Sequence, residues 1–470
     1  MTKHTKIVAT LSDEKCDIDF IKDLYQAGMN VVRINTAHQS PEGSIKLINN
    51  VRQVSEKIPF LVDTKGPEIR TTRVDEDIIV SKGDIIQVSG DQEKKSSSDC
   101  LYVNYDNFEN EAGPGLQILI DDGDVALTIL EKKEGKLLCE VNNSGVIKGR
   151  KSVNVPGISF RLTSVTERDR MFIDLAIKEN LDFIAHSFVR NKDDVIAVQK
   201  LLDEKNSKIK IIAKIENQDG VDNINEILDH VYGIMIARGD LGIEIPAERI
   251  PVIQRQLIKK CTERKKPVIV ATQMLHTMIK NPRPTRAEVS DIANAIYSRT
   301  DAIMLSGETA YGDYAVEAVN TMRKIALEVE KNRNPKKDFS VVSIDNKIAA
   351  FLSNAAVKAA SQLSAKAVIC DTLTGRTARY LSAFRGKNPV YAMCYKKSVV
   401  RELALSYGVF PDYMDHKAST DEFKHNAVFT LIEQKKIEPD DRILIIGGSF
   451  GPRRGASFID IGTSKDMMKL

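Results

Sequence analysis

No stretch of this sequence approaches the ~20 consecutive apolar residues that a membrane-spanning helix needs. The opening, MTKHTKIVATLSDEK, has no apolar segment of signal-peptide length. Neither charge is in large excess: 68 Lys and Arg against 65 Asp and Glu leave a formal net charge of +3. That balance calls for neither nucleic acid nor a membrane surface as partner, so any basic site must be local. The six cysteines (16, 100, 139, 261, 370 and 394) form no CxxC pair. Cys139 and Cys261 fall in apolar patterns and are expected as buried free thiols, in keeping with a reducing compartment. No internal repeat or low-complexity segment is present. The expectation is a soluble, cytoplasmic protein.

At 470 residues the chain has room for about two to four domains. Short β runs at 6–10, 31–35 and 58–63 alternate with helical patterns at 18–27 and 41–57, a β-α-β-α-β order that points to a parallel sheet. The pattern then breaks. From 67 to 160 the sequence shows only short strands and turns, with DDGD (121–124) as a hairpin signal. Helix and strand alternation resumes with SVTERDRMFIDLAIKEN, where Ser164 and Glu167 have capping-box spacing. Further β runs follow at 183–188, 210–215, 233–237, 268–272 and 302–306. A long helix is expected over 246–264. Setting the interruption aside, eight β runs with helices predict a (β/α)8 TIM barrel. The expected division is barrel 1–66, an inserted all-β, barrel-like lid 67–160, barrel 161–333, then a C-terminal α/β domain 334–470, with NRNPKKD as linker composition.

The apolar runs at 211–213 and 233–237 stop abruptly at ionisable residues: Lys214 and Glu216 after the first, Arg238 and Asp240 after the second. A salt-bridged strand end would look like this, and so would a functional rim. The other strands decide between them. Arg33 and Asn35, Asp63, Ser187, Thr272, and Ser306 with Glu308 fall at the same end of successive strands, which in a barrel is the active-site face. Glu216 and Asp240 are hard oxygen ligands suited to Mg²⁺ or Mn²⁺. Asp240 could equally N-cap the following helix. Thr272, taken alone, is an ordinary β-former.

Seven stretches carry a family resemblance: VRINTAH (32–38), DTKGPEIR (63–70), AKIEN (213–217), ARGDLGIEIP (237–246), ATQML (271–275), NPRPTRAEVSD (281–291) and LSGETAYG (305–312). In this order they resemble pyruvate kinases, and KSVNVPG (151–157) is similar to that family's return from its inserted domain. The resemblance implies transfer of the phosphoryl group of phosphoenolpyruvate to ADP, with Mg²⁺ (or Mn²⁺) and K⁺ as cofactors, in a homotetramer. It assigns Glu216 and Asp240 to the divalent metal, and Lys214 and Arg33 to the phosphoryl charge. Gly239, Asp240 and Thr272 go to the substrate, Thr272 also relaying a proton. Arg70 and Lys151 go to the nucleotide, assisted by Asn35 and His38. Asn35, Asp63 and Thr64 match the ligands of a monovalent cation.

Two departures stand out. The fourth cation ligand, normally a serine, is Ala37, although Glu68 matches the potassium-requiring subgroup. The loop TLSDEKCD (10–17) lacks the family's Gly-Pro. In the C-terminal domain Thr372, Thr374, Gly375, Arg376 and Thr377 match an effector-phosphate loop, with Arg453 and Arg454 on a second loop. A sugar phosphate and an exposed basic turn both fit these residues. Two further readings stay open: a Mg²⁺-dependent lyase or aldolase, which would act without ADP, and a non-catalytic effector-binding homologue.

Overall fold

The computed structural model describes residues 2–332, 346–448 and 456–468. Eight parallel strands close a barrel: β1 (Lys6–Leu11), β2 (Val31–Asn35), β3 (Phe60–Asp63), β4 (Phe183–His186), β5 (Lys210–Ile215), β6 (Gly233–Ala237), β7 (Val268–Ala271) and β8 (Ala302–Leu305). Neighbours pair in sequence order and β8 pairs with β1, with Lys6 opposite Ala302. The strands are buried on both faces, which is why they read as continuous apolar runs. Alternate residues such as Val8, Leu61, Phe183, Ile212 and Met235 fill the lumen. Their neighbours pack against the helix layer.

Between β3 and β4 lies the β-rich insertion. A six-stranded sheet runs in the order Val153–Asn154, Gln117–Ile120, Val125–Lys133, Lys136–Val141, Ile85–Gly90, Cys100–Val103. Ile78–Val80 and Gly145–Ile147 pair as a two-stranded ribbon. These strands enclose their own apolar core around Phe108, Ile118 and Leu127. The DDGD hairpin forms as the sequence predicts, with Asp121, Asp122 and Gly123 all at positive φ.

The C-terminal unit is a five-stranded sheet in the order Val409–Tyr413, Val390–Cys394, Ala367–Thr372, Arg442–Gly448, Ala456–Thr463, the last antiparallel. All six cysteines are free and buried. Among the described residues no helix is long and apolar enough to cross a membrane.

Two local expectations are corrected. Helix Glu167–Lys178 is capped by Thr166 and Asp169, which form the reciprocal capping box, and not by Ser164 with Glu167. The pattern over 246–264 divides into a 3-10 turn, Ala247–Arg249, and a helix, Ile250–Glu263, with a proline in its first turn.

Candidate active site

Strand parity decides which side chains reach the barrel mouth. Ile212 points into the lumen, so Lys214 and Glu216 follow it on the same face of β5. Leu61 does the same for Asp63, Val31 for Arg33 and Asn35, and Ala185 for Ser187. Lys214 is the centre of the cluster. Its ammonium donates to Ser187 Oγ at 2.7 Å and lies 3.0 Å from Asp63 Oδ1 and 2.9 Å from Glu216 Oε1. The second Asp63 oxygen accepts from Arg33 Nε at 2.6 Å, and Arg33 Nη1 donates to Thr10 Oγ1 at 2.9 Å.

Burial alone would lower the Lys214 ammonium, but the charges of Asp63, Glu216 and Asp240 hold it well above its ordinary value. Burial likewise opposes an ionised Asp63, yet Arg33 and Lys214 keep it below the usual carboxylate range. Glu216 is pushed up by burial, against the pull of Lys214. Its other oxygen accepts the Phe188 N–H at 2.7 Å, with Phe188 in the left-handed region at φ 53°.

Asp240 is the third residue of helix Arg238–Glu244, whose cap position is Ala237 with no side-chain cap. It therefore does not N-cap. Its half-buried carboxylate has no hydrogen-bond or ion-pair partner among the described residues and lines, with Glu216, a cleft of about 200 Å³ under the insertion. Two hard carboxylates, one of them unpartnered, suit Mg²⁺ or Mn²⁺, which fill their remaining positions with water and substrate oxygens. No cluster of three or more His, Cys, Asp or Glu forms a protein cage among the described residues, and such an ion needs none.

Thr272 follows β7 with φ 70°, and Gln273 follows with φ 53°. A β-branched residue in that region costs of order 1–3 kcal/mol and persists only where its surroundings hold it. The Thr272 hydroxyl accepts the Gly239 N–H at 2.8 Å and donates to the Ala271 carbonyl at 2.7 Å. The threonine is thus locked to the segment carrying Gly239 and Asp240. Arg238 and Asp291 complete that lock. Sequence patterning marks Arg238 only as one more strand-end charge, and Asp291 only as the last residue of the NPRPTRAEVSD stretch, with no role assigned to either.

Asn35 sits opposite Asp63 in register and accepts the Ala37 N–H at 3.2 Å. The Thr64 carbonyl accepts the Ser187 hydroxyl at 2.6 Å. Asn35, Asp63 and Thr64 are therefore contiguous, while Ala37 offers no side-chain oxygen beside them. His38 is exposed three residues beyond Asn35. At the neck of the insertion two chain segments run antiparallel, with Arg70 bridging Ser152 and the Thr71 N–H donating to the Lys151 carbonyl at 2.8 Å. Arg70 pairs with Glu68 at 2.8 Å and Lys151 with Asp121 at 2.7 Å.

In the C-terminal unit Thr372 ends a strand, and helix Arg376–Ala383 starts after Gly375. Gly375 has φ 76°, and a Cβ there would meet Arg379 Nη1 at 2.7 Å. Thr374, Gly375, Arg376 and Thr377 share that helix start; Arg453 and Arg454 lie outside the described residues.

Known proteins give the same picture. The family model described as pyruvate kinase, barrel domain, matches residues 2–319, and that of the pyruvate kinase alpha/beta domain matches 351–461. The chain is 48% identical to a pyruvate kinase of Borreliella burgdorferi over 100% of its own length and 99% of the relative's. It is 41% identical to one of Staphylococcus saprophyticus, covering 95% of this chain and 78% of that protein. The crystal structure of a pyruvate kinase from Cryptosporidium parvum superposes with a TM-score of 0.93 at 34% identity, covering 98% of this chain and 96% of the other. On this sequence and structural match, the chain belongs to the pyruvate kinase family.

Proposed function

We propose that this chain is the phosphotransferase that converts phosphoenolpyruvate and ADP to pyruvate and ATP, with the barrel mouth as its active site. The observation that carries the assignment is Lys214. It is buried and charged among Asp63, Glu216 and Ser187, beside the unpartnered carboxylate of Asp240. Glu216 and Asp240 would hold Mg²⁺ or Mn²⁺, which neutralises charge on the substrate when bound. The bond between the enol oxygen and phosphorus breaks as a bond forms from an ADP oxygen to phosphorus. Such a transfer needs positioning and charge stabilisation more than covalent help. Lys214 and Arg33 supply fixed positive charge at the phosphoryl group and the departing enolate. Thr272 relays a solvent proton to the enolate carbon, where the new C–H bond forms. Arg70 and Lys151 at the neck contact the nucleotide as the lid closes and excludes water. Asn35, Asp63 and Thr64 would hold K⁺, which would add positive charge near the phosphoryl group when bound; Ala37 supplies no hydroxyl to that site.

The test is ADP-dependent pyruvate formation with Mg²⁺, run in K⁺ and in a buffer with a large inert cation. Activity only with K⁺ is expected; equal activity in both removes the cation from the mechanism. Lys214→Met is expected to lower turnover by roughly 10²–10³-fold or more, the scale of losing a key electrostatic stabiliser, while Mn²⁺ still binds. Unchanged turnover refutes the role of Lys214, and pyruvate release without ADP would point to a lyase. A homotetramer and a sugar-phosphate effector at 372–377 belong to the same reading. Light scattering checks the first, and a calorimetric titration at millimolar sugar phosphate checks the second.

A further inference from the structure

Arg238 holds the turn that carries Thr272. Its Nη2 donates to the Thr272 carbonyl at 2.7 Å and its Nε to the Ala271 carbonyl at 3.3 Å. The remaining edge of the guanidinium is gripped by Asp291, with Nη1 at 2.8 Å from Oδ1 and 2.6 Å from Oδ2. Asp291 lies in helix Arg286–Tyr297. One planar fork thus ties together the two carbonyls that set the left-handed turn at Thr272, a helix of the outer layer and, through its own backbone, Gly239 and Asp240. Only arginine offers donors in that planar, spread geometry; a lysine ammonium is a compact point charge and could not span both carbonyls and the Asp291 carboxylate from one position. With φ positive at both Thr272 and Gln273, the turn would relax without an external restraint, and the hydroxyl would leave the Gly239 N–H.

We infer that Arg238, anchored by Asp291, is a positioning residue for the proton relay, fixing the Thr272 hydroxyl relative to the substrate and setting the rate of enolate protonation with little effect on metal or substrate binding. The inference rests on the proton-relay role proposed for Thr272. The relay can be read in reverse, as exchange of the pyruvate C3 hydrogens with solvent. In that direction the carbon loses a proton toward Thr272 and regains a deuteron from D₂O, with no net change in bonding.

The experiment follows this exchange by proton NMR in D₂O with the intact protein, Mg²⁺ and K⁺. The variants are Arg238→Gln, Arg238→Lys, Asp291→Asn and, as reference, Thr272→Val. Displacing a reacting group by about an ångström costs on the order of 10²-fold, so that loss is expected for Arg238→Gln. Asp291→Asn, which keeps the two carbonyl bonds and weakens their anchor, is expected to lose about tenfold, with phosphoenolpyruvate KM and Mn²⁺ affinity within about threefold of the parent in both. If Arg238→Gln does not fold, Asp291→Asn and Arg238→Lys decide alone. Thr272→Val losing exchange while the Arg238 and Asp291 variants keep it overturns the positioning role and leaves the relay standing. Thr272→Val retaining exchange removes the relay and this inference together. Loss of exchange with an equal loss of metal and substrate binding also overturns it, because the site would then have collapsed as a whole.

Discussion

His186 ends β4 one residue short of Ser187, and that single step in parity turns it away from the lumen into the helix layer. It is fully buried, and neither ring nitrogen has a hydrogen-bond partner among the described residues. Burial lowers its pKa from 6.5 to about 4. The unfolded chain therefore binds a proton below pH 6.5 that the native state refuses until about pH 4. Stability contributed by the neutral ring is intact above the unfolded value and is lost as pH falls through this window. At pH 5 the loss amounts to about 2 kcal/mol. His186→Asn should narrow the gap in Tm between pH 7 and pH 5; an unchanged gap would place the acid sensitivity elsewhere. Nothing in the sequence marks this histidine, because its cost arises from burial. Thr272 is a similar case: its residue type fits a strand end, and only the dihedrals reveal a strained turn. Lys214, Glu216 and Asp240 were legible because an ionisable residue interrupting an apolar run is itself a local signal.

The elements flanking the lid share one carboxylate. Asp169 Oδ2 accepts from the Thr166 N–H and hydroxyl, at 3.0 and 2.7 Å, closing the cap of helix Glu167–Lys178. Asp169 Oδ1 accepts the N–H groups of Lys65 and Gly66, at 3.0 and 3.2 Å, on the segment that leads from β3 into the lid. Gly66 itself has φ 70°, and a Cβ there would meet Ser187 and Phe188 at 2.8 Å. Both ends of the lid thus converge on a fully buried side chain. Asp169→Asn, which turns one acceptor into a donor, should cost about 1–3 kcal/mol and raise the KM for ADP. Thr166→Ala should cost about 1 kcal/mol, and Ser164→Ala less than about 0.5 kcal/mol. Thermal melts of the three rank them, and equal effects at 164 and 166 would discredit the cap assignment. The sequence placed the helix but slipped its cap by two residues, since Ser164 and Thr166 are equally good capping types and only the fold selects one. Several strands of the insertion and the C-terminal unit carry no clear sequence signal, for comparable reasons. Val409–Tyr413 contains Pro411, which argues against a strand in sequence but is tolerated at a sheet edge, where this strand lies. Ile78–Val80 and Val153–Asn154 are too short to show a period.

Across the whole molecule, eight recurring β runs make the barrel legible from sequence, but its docking to the C-terminal unit depends on residues far apart in the chain. Asp301, just before β8, is at the floor of the barrel, opposite the active site. Its two oxygens accept from Arg385 Nη1 and Nη2 at 2.8 and 2.6 Å, and also from the Tyr407 and Val268 N–H groups at 3.0 and 3.2 Å. Arg385 Nη2 donates as well to the Arg299 carbonyl at 3.0 Å. Both side chains are almost fully buried, at 1% and 4% exposure. An ion pair this dry is no more stabilising than well-packed apolar groups of the same volume, but removing one partner strands a buried charge at about 3–5 kcal/mol. Arg385→Leu should therefore loosen the C-terminal unit, and calorimetry should show it melting ahead of the barrel where the parent melts more cooperatively. The double variant Asp301→Leu with Arg385→Leu should recover part of the loss, because no charge is left behind. Below the first transition, pyruvate formation should stay within about twofold of the parent, since the reacting residues stand at the other end of the strands and keep their partners. A large fall in turnover without early melting would mean that the floor of the barrel communicates with its mouth. The strands would then be transmitting strain between the C-terminal unit and the reaction, instead of serving only as its scaffold.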